Sequence, residues 1–239
     1  MEAKNVHDWP TDKHGAVQLQ KEIAKSIKRH GNMVEPTLIA AVDTAYGFQG
    51  IKLYAAAAVL SFPTLEEVER SFHCENIGFP YHPGLFYFRE GPAVIGALSR
   101  LKCEPDVVIV HGHGAAHPRR CGVASHVGYY FDKPSVGCAR RLLVGHHRPI
   151  PDPKGNHQPV QLGSEIVGTA YRSKDKVKPI FISAGHLCDL NFAQDIVVRC
   201  LRGFRLPEPL RLAHLLANKY KRKEEKGVKA DRRDQAEQL

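Results

Sequence analysis

Apolar residues along the chain follow two spacings, one helical and one extended, and their order predicts the architecture. In residues 12–30 (DKHGAVQLQKEIAKSIKRH), Val17, Ile23, Ala24 and Ile27 form a helical stripe, and Gly31 follows as a stop. Residues 37–46 (TLIAAVDTAY) form a short apolar run that meets Asp43, and Gly47 and Gly50 mark a turn. A second strand is predicted over 51–62 (IKLYAAAAVLSF) and a third over 67–77 (EVERSFHCENI). Short turns between them imply an antiparallel meander. Prolines at 80, 83 and 92 make the start of FPYHPGLFYFREGPAV a rigid loop, with a helix expected from Pro92 to Leu101, where proline suits the first turn. Residues 106–110 (DVVIV) end in a continuous apolar run, the pattern of a strand covered on both faces in a parallel sheet. A helix at 119–131, a strand at 134–139, a strand or hairpin at 159–172 and a short strand at 179–183 follow. Helices at 191–202 and 208–220 close the ordered part. Beyond Tyr220 the chain has almost no apolar groups, and residues 221–239 are expected to form a disordered basic tail. A meander followed by strand–helix alternation predicts one α/β domain over residues 1–220, a mixed sheet flanked by helices.

Composition narrows the function classes. No apolar stretch in the 239 residues approaches the ~20 needed to span a bilayer. The start, MEAKNVHDWP, lacks the apolar core of a secretory signal. The six cysteines include no CxxC pair, which argues against a zinc knuckle and for reduced thiols in a cytoplasmic protein. The formal charge is +9; residues 218–239 account for +3 and the rest of the chain keeps +6, so an anionic partner is indicated beyond the tail alone.

Candidate chemistry lies where strands run out, because polar side chains leave the core there. Asp43, Glu90, His111 and His186 occupy such positions. An acid buried among apolar neighbours costs several kcal/mol unless paired or bound to a cation. Asp43 therefore either caps the turn before Gly47 or has a partner. Carboxylates that converge on Mg²⁺ are a recurrent device for phosphodiester hydrolysis, and Asp43 and Glu90 qualify as ligands. The stretch VIVHGHGAAHPRR leaves two readings open. His111, His113 and His117 are close enough in sequence for a zinc site. Alternatively, Gly112 and Gly114 let backbone approach a substrate and His117 touches a phosphate or base. Arg119 and Arg120 either hold phosphates or form a solvated helix start. Asp189 either caps the helix near Asn191 or supplies an extra carboxylate.

The stretches VDTAY, PYHPGLFYFREGP, VVIVHGHGAAHPRRCGVASHVG, PSVGCARRLL and FISAGHLCDL resemble, in order over residues 15–220, the successive motifs of the endonuclease V family. The resemblance implies a ribonuclease H-like fold. It also implies a metal-dependent endonuclease that nicks DNA or RNA at the second phosphodiester 3′ to inosine, leaving 3′-hydroxyl and 5′-phosphate ends, in repair of deaminated adenine. Matched motif by motif, it puts metal carboxylates at Asp43 and Glu90 and a catalytic histidine at His186. It puts a strand-separating wedge at Pro80, Tyr81, His82 and Pro83, an inosine pocket at Gly112 to Ala116, and the cation of the GVAKxxL motif at Arg140, which with Arg119 and Arg120 would hold the backbone. Where the family writes VDGHG, this chain writes VHGHG, so His111 stands in place of an aspartate ligand. Imidazole suits Mn²⁺ better than Mg²⁺. Two readings follow, an active monomeric nuclease using Mg²⁺ or preferentially Mn²⁺, and an inosine-binding protein whose metal cage no longer supports cleavage.

Overall fold

The computed structural model describes residues 1–236 apart from Asn5, Asn32 and Met33, with side chains through Gly227. In chain order the elements are α1 (Lys13–Ser26), β1 (Leu38–Gly47), β2 (Lys52–Ser61), β3 (Glu67–Asn76), α2 (Phe86–Leu98), β4 (Val107–His111) and α3 (Val123–Phe131). They continue with β5 (Ser135–Ala139), β6 (His157–Leu162), β7 (Glu165–Tyr171), β8 (Ile180–Ala184), α4 (Leu190–Arg199) and α5 (Glu208–Ala236). The strands form one eight-stranded sheet in the order β3-β2-β1-β4-β5-β8-β7-β6. β1, β4 and β5 run parallel, whereas β2, β3 and the β8-β7-β6 flank pair antiparallel. This is the mixed sheet that the pattern predicts, in the ribonuclease H-like form that the resemblance implies.

Alternation along the central strands divides the core in two. Ala40, Val42, Val108 and Val110 pack against α1, α2 and α3. Ile39, Ala41, Val107 and Ile109 face the other way, against α4 and α5. The run Ala55–Ala58 in β2 has only methyl side chains, all fully buried. Ala56 and Ala58 lie against Leu216 and Ala217 of α5. Small residues on the sheet let that helix lie close, which sets the geometry of the site below.

Three expectations are corrected. Helix α2 starts at Phe86, not Pro92, and Pro92 lies inside it. Burial of Tyr87, Phe88, Val94 and Leu98 on one apolar stripe outweighs the lost backbone hydrogen bond, and the longer helix lifts Glu90 out of the loop. Asp43 neither ends β1 nor caps a turn; the strand runs on to Gly47 and Asp43 pairs with Ala56 of β2. The segment after Tyr220 continues α5 as far as Ala236. Its Lys, Arg and Glu residues are good helix formers, and Glu225 on it accepts a hydrogen bond from the backbone N–H of Phe48 at 2.9 Å. Residues 237–239 of the expected tail lie outside the described residues.

Candidate active site

β1 outruns its parallel neighbour. The β1–β4 pairing stops at Val42 and Val110, so the next residues, Asp43 and His111, flank a gap where the ladder ends. Asp43 shares the register of Ile39 and Ala41, which face α5, and meets His214 of that helix; His111 lines the cavity described below. Asp43 is 4% exposed, and its carboxylate is surrounded by donors. His111 Nδ1–H donates to Oδ1 at 2.8 Å, the Thr44 N–H to the same oxygen at 2.8 Å, and His214 Nδ1–H to Oδ2 at 2.7 Å. Burial alone would raise the Asp43 pKa. The hydrogen bonds from the two imidazoles, the positive potential of His111 and the Thr44 amide outweigh it and hold the carboxyl at about 2.

Glu90 is as deeply buried, at 3% exposure, and is treated differently. Thr44 Oγ1 donates to Oε2 at 2.6 Å, but Oε1 is buried with no hydrogen-bond partner. Burial is the main cause that lifts this carboxyl to about 7, with the negative charge of Asp43 adding to it. Thr44 thus bridges the two acids, its amide on one and its hydroxyl on the other. Tyr46, two residues further along β1, accepts from Arg89 Nε at 3.3 Å and lies beside Glu90.

A cavity of about 550 Å³ opens beside His111. Tyr81, His82, Pro83 and Gly84 form one wall and Arg140, Arg141, Leu142 and Leu143 another. Tyr81 is 65% exposed at the rim. Pro80 is exposed next to this wall without lining it. Gly112 lines the cavity at φ 152°, and a Cβ there would come within 2.2 Å of Val123. Gly114 does not line it. A Cβ on Gly114 would lie 2.1 Å from the Ala184 carbonyl, so its smallness serves packing against β8.

Several nominated residues have other work. His117 is buried, with Nε2–H donating to the Gly84 carbonyl at 2.9 Å and Nδ1 accepting from the Arg119 N–H at 3.2 Å. Burial pushes it down to about 4, so it is neutral and adds no charge for a phosphate. Arg119 donates to the same Gly84 carbonyl at 2.7 Å and to Gln20. Together they fix the loop that carries Tyr81. Arg120 is paired with Glu165 at 2.6 Å. The three-histidine zinc reading fails because His113 Nε2–H is taken by the Arg141 carbonyl at 2.9 Å and His117 by Gly84. Among the described residues, no ready group of three His, Cys, Asp or Glu side chains forms an open metal cage.

His186 is the main displacement. β8 is antiparallel to β5, and its last residue, Ala184, pairs with Val136 near the start of β5. His186 therefore emerges at the opposite end of the sheet from His111. There Nδ1 accepts from the Lys28 N–H at 3.2 Å and Nε2 lies 3.6 Å from Asp132. Asp189 caps α4 by accepting from the Phe192 N–H at 2.8 Å. The histidine that does reach Asp43 is His214, which the sequence reading passed over. A signal for it existed: Leu210, Ala213 and Ala217 form a buried stripe on α5, and His214 is a polar residue on its edge.

Comparison with known proteins bears on the family and the fold. Residues 21–215 match the family model described as Endonuclease V. An Endonuclease V of Dictyoglomus turgidum is 44% identical over 203 residues, covering 85% of this chain and 88% of the relative. The crystal structure of the Endonuclease V of Streptomyces avermitilis superposes with a TM-score of 0.85 at 33% identity, covering 90% of this chain and 96% of that one. A variant Endonuclease V of Ciona intestinalis, in complex with a 23mer DNA containing an inosine followed by a ribo-adenosine, superposes with a TM-score of 0.79 at 27% identity, covering 88% and 97%.

Proposed function

The chain belongs to the endonuclease V family, and from that premise we propose that it is a divalent-metal-dependent endonuclease. It nicks nucleic acid at the second phosphodiester 3′ to deoxyinosine or inosine, as a monomer in the cytoplasm, in repair of deaminated adenine. The observation that carries this reading is the pair Asp43 and Glu90, bridged by Thr44 and linked to the cavity wall through His111, with Glu90 Oε1 buried and unpartnered. A buried carboxylate oxygen without a donor is costly unless a cation or proton meets it. The cavity's volume of about 550 Å³ is in the range that takes one nucleoside. The inosine-containing DNA held by the Ciona relative is the ligand class we carry over to this chain.

As they stand, Asp43, Glu90 and His111 form no open cage, because imidazoles cover both Asp43 oxygens; drawn off those hydrogen bonds, their oxygen and nitrogen donors would suit a divalent ion, Mg²⁺ or Mn²⁺. Such an ion supplies an activated water and neutralises charge at the leaving oxygen. This chain's own residues do the rest. His214 orients the Asp43 carboxylate through its hydrogen bond to Oδ2. Glu90, whose carboxyl burial lifts to about 7, would be the second acidic ligand, and it would have to be ionised to hold the ion. Tyr81 stands at the rim where an aromatic face would hold the strands apart around the extruded base. Arg140, at the opposite wall, contacts backbone phosphate.

A histidine at position 111 leaves the cage one negative charge short of the aspartate that the family motif carries. Wild type is expected to cut weakly with Mg²⁺ and better with Mn²⁺, and His111→Asp to restore Mg²⁺ activity. A gel assay on inosine-containing DNA and RNA across both metals tests this; full Mg²⁺ activity in wild type, unchanged by the swap, refutes the metal preference. A second reading, recognition of inosine without cleavage, is favoured by one observation: imidazoles occupy both oxygens of Asp43. Tight binding with no product in either metal would establish it.

A further inference from the structure

The arginines near the cavity divide into two sets. Arg119, Arg120, Arg172 and Arg205 all have side-chain partners: Gly84 and Gln20, Glu165, Asp152 with two backbone carbonyls, and the carbonyls of Arg140 and Pro179. Arg140, Arg141 and Arg148 have none among the described residues, either in ion pairs or in side-chain hydrogen bonds.

Yet the backbone carrying those three is held at four points. The Arg140 carbonyl accepts from Arg205 at 2.7 Å, the Arg141 carbonyl from His113 at 2.9 Å, and the Ile150 carbonyl from Arg172 at 2.8 Å. Between them His146 forms a two-bond bridge with Gln161 of β6, each hydrogen bond 2.9 Å. Gly145 permits that approach: it sits at φ 79°, and a Cβ there would lie 2.3 Å from the Gln161 carbonyl. The irregular segment is thus fixed while Arg141 and Arg148 are exposed and Arg140 half-buried, all three without a side-chain partner among the described residues. Folding alone has no use for that arrangement, since exposed unpaired arginines add little stability. The nearby acids are also spent, Glu165 on Arg120 and Asp152 on Arg172. A hollow of about 340 Å³ lies beside Arg148, with His146, His147 and Gln158 in its wall. Arg140 and Arg141 are in the cavity wall itself, so the cationic strip begins at the cavity and leads away from it.

We propose that residues 140–148, with the hollow beside Arg148, form a phosphate track on which the strand flanking the cavity is laid. The occupant is the phosphodiester backbone, met by fixed cations without base contacts, so the track contributes affinity and register but no sequence preference. The inference rests on the nuclease reading for the direction of the strand, and its test separates the two.

Binding of inosine-containing DNA is measured by anisotropy between about 50 and 200 mM salt, without divalent metal, for wild type, Arg148→Gln and Arg148→Lys. One substrate carries long flanks and one only a few nucleotides on either side of the lesion. With long flanks, Arg148→Gln is expected to lower the magnitude of the salt slope by about 0.9 and weaken affinity roughly five- to tenfold near 0.1 M salt, the loss of one phosphate contact. Arg148→Lys keeps the slope, which separates lost charge from misfolding, and the short substrate is unaffected. An equal loss on both substrates, or no loss on either, overturns the track. Wild type that shows the flank-dependent salt response but no preference for inosine over plain DNA leaves the track standing and overturns the inosine reading instead.

Discussion

At the far end of the sheet, His186 sits 3.6 Å from Asp132, and its surroundings are closed. Its ring nitrogen accepts from Lys28, its amide donates to Ser135 Oγ at 2.9 Å, and that hydroxyl in turn donates to Ala124. At the near end, His111 sits 2.8 Å from Asp43, and the set is left incomplete, since Glu90 beside it has a buried oxygen with no donor. Both ends show a histidine next to an acid, His111 closing β4 and His186 two residues beyond β8. What separates them is unmet hydrogen-bonding capacity next to an open cavity. A buried polar cluster that satisfies itself holds a fold together; one that does not is waiting for a ligand.

That contrast can be broken experimentally. The largest effect is expected from Asp43→Asn, which keeps the shape but removes the anion: cleavage in the preferred metal should fall by about a thousandfold or more in single-turnover assays, the scale of lost cation charge stabilisation. His214→Ala should cost about 10- to 100-fold in metal affinity or rate, as loss of a ligand-orienting partner does, with the metal dissociation constant as the readout. The two acids should also move stability in opposite directions with pH. Asp43, held at about 2 against 3.8 unfolded, stabilises the metal-free fold above pH ~4, and this is lost as pH falls towards 2. Glu90, at about 7 against 4.5, keeps its proton in the fold, so metal-free stability falls as pH rises from 4.5 to 7. Glu90→Gln should therefore raise metal-free stability at pH 8 by roughly 1–3 kcal/mol, seen as a higher Tm, while abolishing cleavage. A Glu90→Gln protein that melts lower at pH 8 would contradict the burial argument. The smallest catalytic effect belongs to the far end: His186→Ala should cost about 1–3 kcal/mol of stability from the partners it strands, yet leave cleavage unchanged at a temperature where the variant is folded.

Much of this contrast was legible in the residues. The succession of strands and helices, the meander and the acids at Asp43 and Glu90 follow from apolar runs and motif wording, because burial periodicity is a local property. What escaped was non-local. Nothing in PIFISAGH states that β8 pairs antiparallel to β5, and that one fact carries His186 to the wrong end. His214 lies 171 residues from Asp43, and only the close approach of α5 to the alanines of β2 brings them together. The start of α2 was misplaced because proline at a first turn is the commoner arrangement, while Tyr87 and Phe88 needed burial that only the helix provides. The tail was misread because a Lys- and Glu-rich sequence suits an exposed helix as well as a coil, and the contact of Glu225 with Phe48 is again long-range.

The position of His214 late in the chain has a consequence during synthesis. The imidazole that completes the Asp43 cluster comes from the last helix, so a growing polypeptide can pair its early strands well before that helix exists. Fragments released by stalled ribosomes or proteolysis would lack it, and their Asp43 would be left without the donor that Oδ2 has in the whole chain.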